Sequence, residues 1–153
     1  MKTFSQLIKE YTGKVKEIFP WDLSEQMTDN DLLIVDVREP YEFDAMHIRD
    51  SLNVPRGILE TACEYDFEET VPELVEARNK DVIVVCRSGN RSLFAAHVMQ
   101  QMGYKKVVSL KTGLRGWNEF EQPLYDNQGN QVDIDAADIY FTPKLRPEQH
   151  KPA

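Results

Sequence analysis

Two short runs of unbroken apolar residues stand out in a polar chain. Leu32-Leu33-Ile34-Val35 lies between Asp31 and Asp36, and Val82-Ile83-Val84-Val85 lies between Asp81 and Cys86. Runs of this length predict strands buried on both faces, as in the middle of a parallel sheet. Val107-Val108 with Leu110 forms a third, residues 52–54 a weaker fourth, and residues 14–18 a first strand ahead of them. Helical periodicity fills the gaps. In residues 92–102, Ala95, Val98, Met99 and Met102 share a face, and Gly103 stands where such a helix stops. Residues 3–12 read as an amphipathic helix: Thr3 or Ser5 can cap it, Phe4, Leu7, Ile8 and Tyr11 form its apolar face, and Gly13 ends it. Pro20 with residues 22–27 predicts another short helix. Strands alternating with helices imply an α/β fold, a central, mostly parallel sheet of about five strands with helices on both faces.

Beyond Trp117 the pattern weakens. Asn127-Gln128-Gly129-Asn130 is a turn signal, with Leu124-Tyr125 before it and Val132 and Ile134 after it, which predicts a hairpin. Residues 142–153 hold three prolines and several charges and are expected to be mobile. There is no internal repeat.

With 153 residues, 41% of them hydrophobic, the chain suits one domain with a sizeable core. The net charge of −8 repels polyanions and argues against a nucleic-acid partner. A small anion is still admissible where cations cluster locally. No run has the apolar length of a signal peptide or of a membrane span of ~18 residues, so a soluble, cytoplasmic protein is expected, with no membrane partner. The two cysteines, Cys63 and Cys86, are fewer than a small secreted scaffold carries.

Candidate chemistry concentrates in Cys86-Arg87-Ser88-Gly89-Asn90-Arg91-Ser92, between a buried strand and a helix. In open α/β sheets ligands bind at the carboxyl ends of strands. A helix N-terminus offers unpaired N–H groups and partial positive charge, and a tight loop of amides makes an anion-binding nest. Gly89 permits the turn, and Arg87 and Arg91 add full charges. A thiol in such a place is expected to ionise readily and to act as a nucleophile toward an anionic compound, with no metal or organic cofactor. A buried, inert cysteine is the alternative.

This loop resembles the active-site loop of the rhodanese family. Asp36-Val37-Arg38-Glu39 with Tyr41-Glu42-Phe43, His47-Ile48 with Leu52-Asn53-Val54-Pro55, Gly103-Tyr104, and Gly113-Leu114-Arg115-Gly116-Trp117 resemble its other motifs in the expected order. The resemblance implies a rhodanese-like domain over residues 14–120, a helical extension at 1–13 and a C-terminal extension at 121–153. Two positions depart from the family pattern. Met46 stands where glycine is usual before His-Ile, and Thr112 where the closing motif often has its first glycine. The resemblance implies a sulfurtransferase in which Cys86 takes a sulfane sulfur from a small donor such as thiosulfate or a persulfide. Cys86 then passes the sulfur to cyanide, a thiol or a protein. Arg87, Ser88, Gly89, Asn90, Arg91 and Ser92 would bind the substrate, Arg87 and Arg91 attracting its anionic end, while Asp36 and Arg38 brace the site as a structural pair.

Two other readings remain at this stage. A phosphatase or arsenate reductase of the same fold would have five residues between cysteine and arginine, and Cys86 and Arg91 have four. A non-enzymatic sulfur carrier or binding module is the other. Cys63 lies beside the carboxylates Asp66, Glu68 and Glu69 and reads as an idle thiol, the sharper alternative being a resolving partner for Cys86. His47 and His97 read as structural, Arg56 as a source of positive potential at the mouth, and three histidines suggest no metal site.

Overall fold

The computed structural model describes residues 1–29 and 31–153, and the apolar runs of the sequence are its strands. In chain order the elements are α1 (Phe4–Thr12), β1 (Glu17–Ile18), α2 (Pro20–Gln26), β2 (Leu32–Asp36), α3 (Pro40–Ala45), β3 (Leu52–Asn53), α4 (Leu59–Ala62), α5 (Pro72–Val75), β4 (Asp81–Val85), α6 (Asn90–Gln101), β5 (Lys106–Leu110), α7 (Gly113–Glu119) and α8 (Ile134–Phe141). The five strands lie in the order β1-β5-β4-β2-β3 and every pairing is parallel. Central β4 has Ile83 opposite Ile34 on one side and Val108 on the other.

Successive strand residues point to opposite faces, so β4 feeds two cores. Val82 and Val84 join Val35, Leu93 and Met99 in one, beneath α1, α4, α5 and α6. Ile83 and Val85 join Ile34, Leu114, Trp117 and Phe141 in the other, beneath α2, α7 and α8. All carboxyl ends of the strands therefore open on one edge, between the two helical layers.

Thr3 is the cap of α1: its hydroxyl accepts the Gln6 N–H and the Gln6 side chain accepts the Thr3 N–H, a reciprocal capping box. The first strand is shorter than residues 14–18, because the edge position pairs only Glu17 and Ile18 with β5, although Val15 is still buried. The C-terminal hairpin is only in part a hairpin. Tyr125 bridges His47 and Gln131, but Ile134 opens a helix instead of extending a strand. Asp133 caps that helix, α8, by accepting the Ala136 N–H, and Ala137 and Phe141, one turn apart, bury it against the core. Residues 142–153 are exposed and include a short turn of helix at Pro147–Gln149.

The two departures from the family pattern have different consequences. Met46 is extended, at φ −169°, a backbone any residue adopts, and its side chain fills the core. Thr112 sits at φ 69°, in the left-handed region that a β-branched residue enters only under strain.

Candidate active site

Cys86 follows the last residue of β4, and α6 starts four residues later. Gly89 makes the turn at φ 92°, and a Cβ there would lie 3.1 Å from both the Leu110 oxygen and the Thr112 nitrogen. Lacking a side chain, Gly89 leaves the first N–H groups of α6 without a cap. The Cys86 sulfur takes that role. Its Sγ accepts the Gly89 N–H at 3.2 Å and the Ser92 N–H at 3.3 Å. It also contacts the Ser92 Oγ at 3.3 Å, which lies 2.8 Å from the Ser109 Oγ on β5. Donors aimed at one atom at a helix N-terminus stabilise negative charge there. Residue Cys86 is only 1% exposed, so the sulfur sits at the bottom of its cradle.

The loop is held from below by α7. The Leu114 N–H donates to the Cys86 carbonyl at 2.9 Å and the Arg115 N–H to the Arg87 carbonyl at 3.0 Å. This close approach explains the glycine at the start of α7: a Cβ on Gly113 would lie 2.5 Å from the Arg87 carbonyl carbon and oxygen, and the backbone there has φ 61°. Gly113→Ala is expected to destabilise the protein by about 2–4 kcal/mol, from combined strain and overpacking, and to displace the loop. Chemical denaturation together with sulfur-loading rates checks both effects.

The remaining loop residues separate into backbone and side-chain roles. Ser88 is exposed, and with Asn90, Ile8, Thr12, Glu17 and Lys111 it lines an open groove on the side of the loop facing α1. The Arg91 guanidinium pairs with the Glu42 carboxylate at 2.8 and 3.0 Å. The Arg87 guanidinium donates to the Phe141 carbonyl, the last of α8, at 2.8 Å. Neither arginine side chain is the free cation that the sequence suggests.

Burial pushes the Glu42 carboxyl up, but the Arg91 hydrogen bonds, the Glu39 N–H and the Arg91 and Arg38 charges outweigh it and hold Glu42 below its ordinary 4.5. A carboxyl lowered by folding adds stability above its unfolded value, and loses it as pH falls through the folded value. The Glu42–Arg91 pair is therefore expected to stay closed at neutral pH and to open only below the ordinary 4.5, as a carboxyl-carbon NMR titration of Glu42 would show.

Asp36 and Arg38 form a fully buried pair at the end of β2. Asp36 accepts from the Arg38 backbone N–H, Nε and Nη2, and Nη2 also donates to the Met46 carbonyl at 2.7 Å. Asn53 donates to the Asp36 and Arg38 carbonyls, tying in β3. Arg38 Nη1 is buried with no partner among the described residues.

Cys63 is remote from this edge. Arg78 donates to the carbonyls of Cys63 and of Met102, which puts Cys63 by the C-terminal end of α6. Cys86 is at the other end of that 12-residue helix, about 18 Å away along its axis. A disulfide needs Cα atoms about 5–6 Å apart, so Cys63 does not resolve Cys86 in this fold. Burial, partly offset by Tyr104 and Arg78, raises the Cys63 thiol above its ordinary range. His47 stacks on Phe43, with Nδ1 2.7 Å from the Phe43 carbonyl, and His97 packs edge-on against Tyr11. Arg56 pairs with Glu60 at 2.9 Å.

Sequence reasoning missed Glu42 as a partner of the loop, Ser109 beneath the cysteine, and the end of α8 against Arg87. Only Ser109 left a local signal, as a polar residue inside the apolar run of β5.

The Rhodanese-like domain family model matches residues 20–120, and the chain belongs to that family. A sulfurtransferase of Allochromatium vinosum is 31% identical over 116 residues, covering 75% of this chain and 99% of that protein. A Bacillus subtilis protein provisionally named a sulfur carrier, YrkF, is 36% identical over 90 residues, which are 59% of this chain and 43% of its own. This chain thus matches less than half the length of that relative. Among solved structures, a Rhodopseudomonas palustris protein of unknown function, described as a possible tyrosine phosphatase, superposes with a TM-score of 0.74 at 25% identity, covering 81% of this chain and 95% of that one. A human single-domain sulfurtransferase superposes with a TM-score of 0.59 at 22% identity, covering 67% and 95%, a likeness of fold. Among the described residues no helix is long and apolar enough to cross a membrane.

Proposed function

We propose that the protein is a sulfurtransferase that carries sulfane sulfur as a persulfide on Cys86. The observation that carries this reading is the Sγ at the end of the central strand, receiving the Gly89 and Ser92 N–H groups. The thiolate attacks the outer sulfur of a donor such as thiosulfate or a persulfide, and the donor's S–S bond breaks. The N–H groups of the loop from Arg87 to Ser92 then cradle the transferred sulfur. A thiol, a protein or cyanide attacks that sulfur and restores the cysteine. Asp36 and Arg38 act as bracing and do not touch the substrate.

The phosphatase reading has less support. Four residues separate Cys86 from Arg91, making a narrow ring, and the Arg91 guanidinium is occupied by Glu42. A phosphoryl group needs that charge on its equatorial oxygens. No hydrolysis of an aryl phosphate is expected.

Intact-mass spectrometry after exposure to thiosulfate, polysulfide or glutathione persulfide tests the proposal. One added sulfur, mapped to Cys86, is expected. No adduct with any of the three would favour a binding module.

A further inference from the structure

The transfer step leaves unused the groove beside the loop. The groove has a volume of about 340 Å³, a size that suits a small organic molecule. Ser88, Gly89 and Asn90 wall it on the loop side, and Ile8, Glu17 and Lys111 also line it. Ile8 and Glu17 precede residue 20, where the family match begins, so the N-terminal extension builds part of it. Gly89 is common to groove and cradle, because its N–H donates to the Cys86 sulfur at 3.2 Å.

The groove holds two opposite charges. Glu17 on β1 is level with Ser109 on β5, and Lys111 follows Ser109 by two residues, which places all three on one face of the sheet. The Lys111 N–H extends the ladder to the Ile18 carbonyl at 2.8 Å. Among the described residues neither Glu17 nor Lys111 forms an ion pair. The Lys111 ammonium lies 5.6 Å from the centre of the Phe19 ring, a cation–π contact that draws it away from Glu17. An unpaired carboxylate and an unpaired ammonium in one groove are complementary to a zwitterion, each taking the opposite group. A simple anion is repelled by Glu17 and a simple cation by Lys111. Ile8 and Leu93 offer apolar surface to the methylenes of such a ligand.

The sheet also sets the reach. In the order β1-β5-β4, Glu17 stands two strands from the end of β4, about 10 Å at roughly 4.8 Å per strand. Free cysteine carries its thiol one carbon from the head group and is too short. A peptide-linked thiol spans the gap at about 3.3–3.6 Å per extended residue.

We infer that this groove is the head-group site for the sulfur acceptor, and that the acceptor is a peptide-type thiol with a free amino-acid head. Glu17 takes its α-ammonium and Lys111 its α-carboxylate. The inference rests on the Cys86 carrier reading. The acceptor thiolate R–S⁻ forms a bond to the outer sulfur of Cys86–S–SH and the persulfide S–S bond breaks. The electron pair returns to Cys86 as thiolate, the proton on the outer sulfur stays with it, and R–S–SH leaves. No oxidant or reductant is required. Glu17 and Lys111 bind the acceptor and do not react.

The test uses the full chain loaded with sulfur on Cys86 and follows discharge by intact mass against acceptor concentration. Three acceptors share one thiol environment: glutathione, its glutaryl analogue without the ammonium, and its 4-aminobutyryl analogue without the α-carboxylate. Wild type is expected to show a KM about threefold to fivefold lower for glutathione than for either analogue, with kcat alike, the effect of one partly exposed charge pair. Glu17→Gln is expected to raise the KM for glutathione by the same factor and to leave that for the glutaryl analogue as it is. Lys111→Gln is expected to do the same with the 4-aminobutyryl analogue. Equal KM values in wild type, KM values ordered by net charge alone, or a variant that raises all three alike would overturn the inference and leave Cys86 a carrier. So would free cysteine with a KM as low as that of glutathione. The wild-type series needs no variant and decides by itself. Failure of Cys86 to take up sulfur from thiosulfate, polysulfide or glutathione persulfide would remove the carrier reading and this inference together.

Discussion

Cys86→Ser is expected to lower sulfur transfer by at least about a thousandfold with every donor and acceptor pair. Serine fits the same cradle, so the Gly89 and Ser92 N–H groups keep an acceptor. Its oxygen is a far weaker nucleophile at neutral pH and cannot hold a persulfide. The loss is therefore chemical and not structural. The melting temperature is expected to stay within about 4 °C of wild type, the shift that about 1 kcal/mol gives in a domain of this size. Steady-state transfer assays with circular dichroism melts separate the two effects. Residual transfer within tenfold of wild type would mean that Cys86 is not the carrier.

Asp36→Ala is expected to destabilise the protein by about 3–5 kcal/mol, because it strands a buried guanidinium. Both side chains have no solvent exposure, and Arg38 Nη1 already lacks a partner among the described residues, so loss of Asp36 leaves the guanidinium only its hydrogen bond to the Met46 carbonyl. Against a total stability of about 5–15 kcal/mol, this is a large fraction. The melting temperature is expected to fall by on the order of 10 °C. The double replacement Asp36→Leu with Arg38→Met removes both charges and is expected to recover most of the loss. Urea denaturation of Asp36→Leu, Arg38→Met and the double completes the cycle. The outcome separates bracing from catalysis: an Asp36→Ala protein that is folded at low temperature is expected still to load sulfur on Cys86.

The loop at the end of β4 was legible in the chain because its signal is local. An apolar run, a cysteine, a glycine and the start of a helical pattern follow one another within a few residues, and each has its own backbone consequence. The same holds for the strands buried on both faces and for α1, although the choice between Thr3 and Ser5 as its cap was decided only by the structure, which pairs Thr3 with Gln6. The motif at Gly113 was visible as a resemblance. Its physical reason was not, because the close approach to Arg87 belongs to two segments packed together. Helix α8 was missed because Val132 and Ile134 alternate like a strand, although Asp133, Ala137 and Phe141 carry a cap and a one-turn spacing.

The chain by itself determined that a cysteine would stand between a central strand and a helix N-terminus, since periodicity, turn chemistry and capping depend on near neighbours. Only the tertiary structure decided the charge around that sulfur. Glu42 reaches Arg91 across 49 positions and the Phe141 carbonyl reaches Arg87 across 54. Such pairings leave no periodic trace in the sequence, because the parallel crossovers that join distant segments at one edge of the sheet also choose which arginine meets which acceptor.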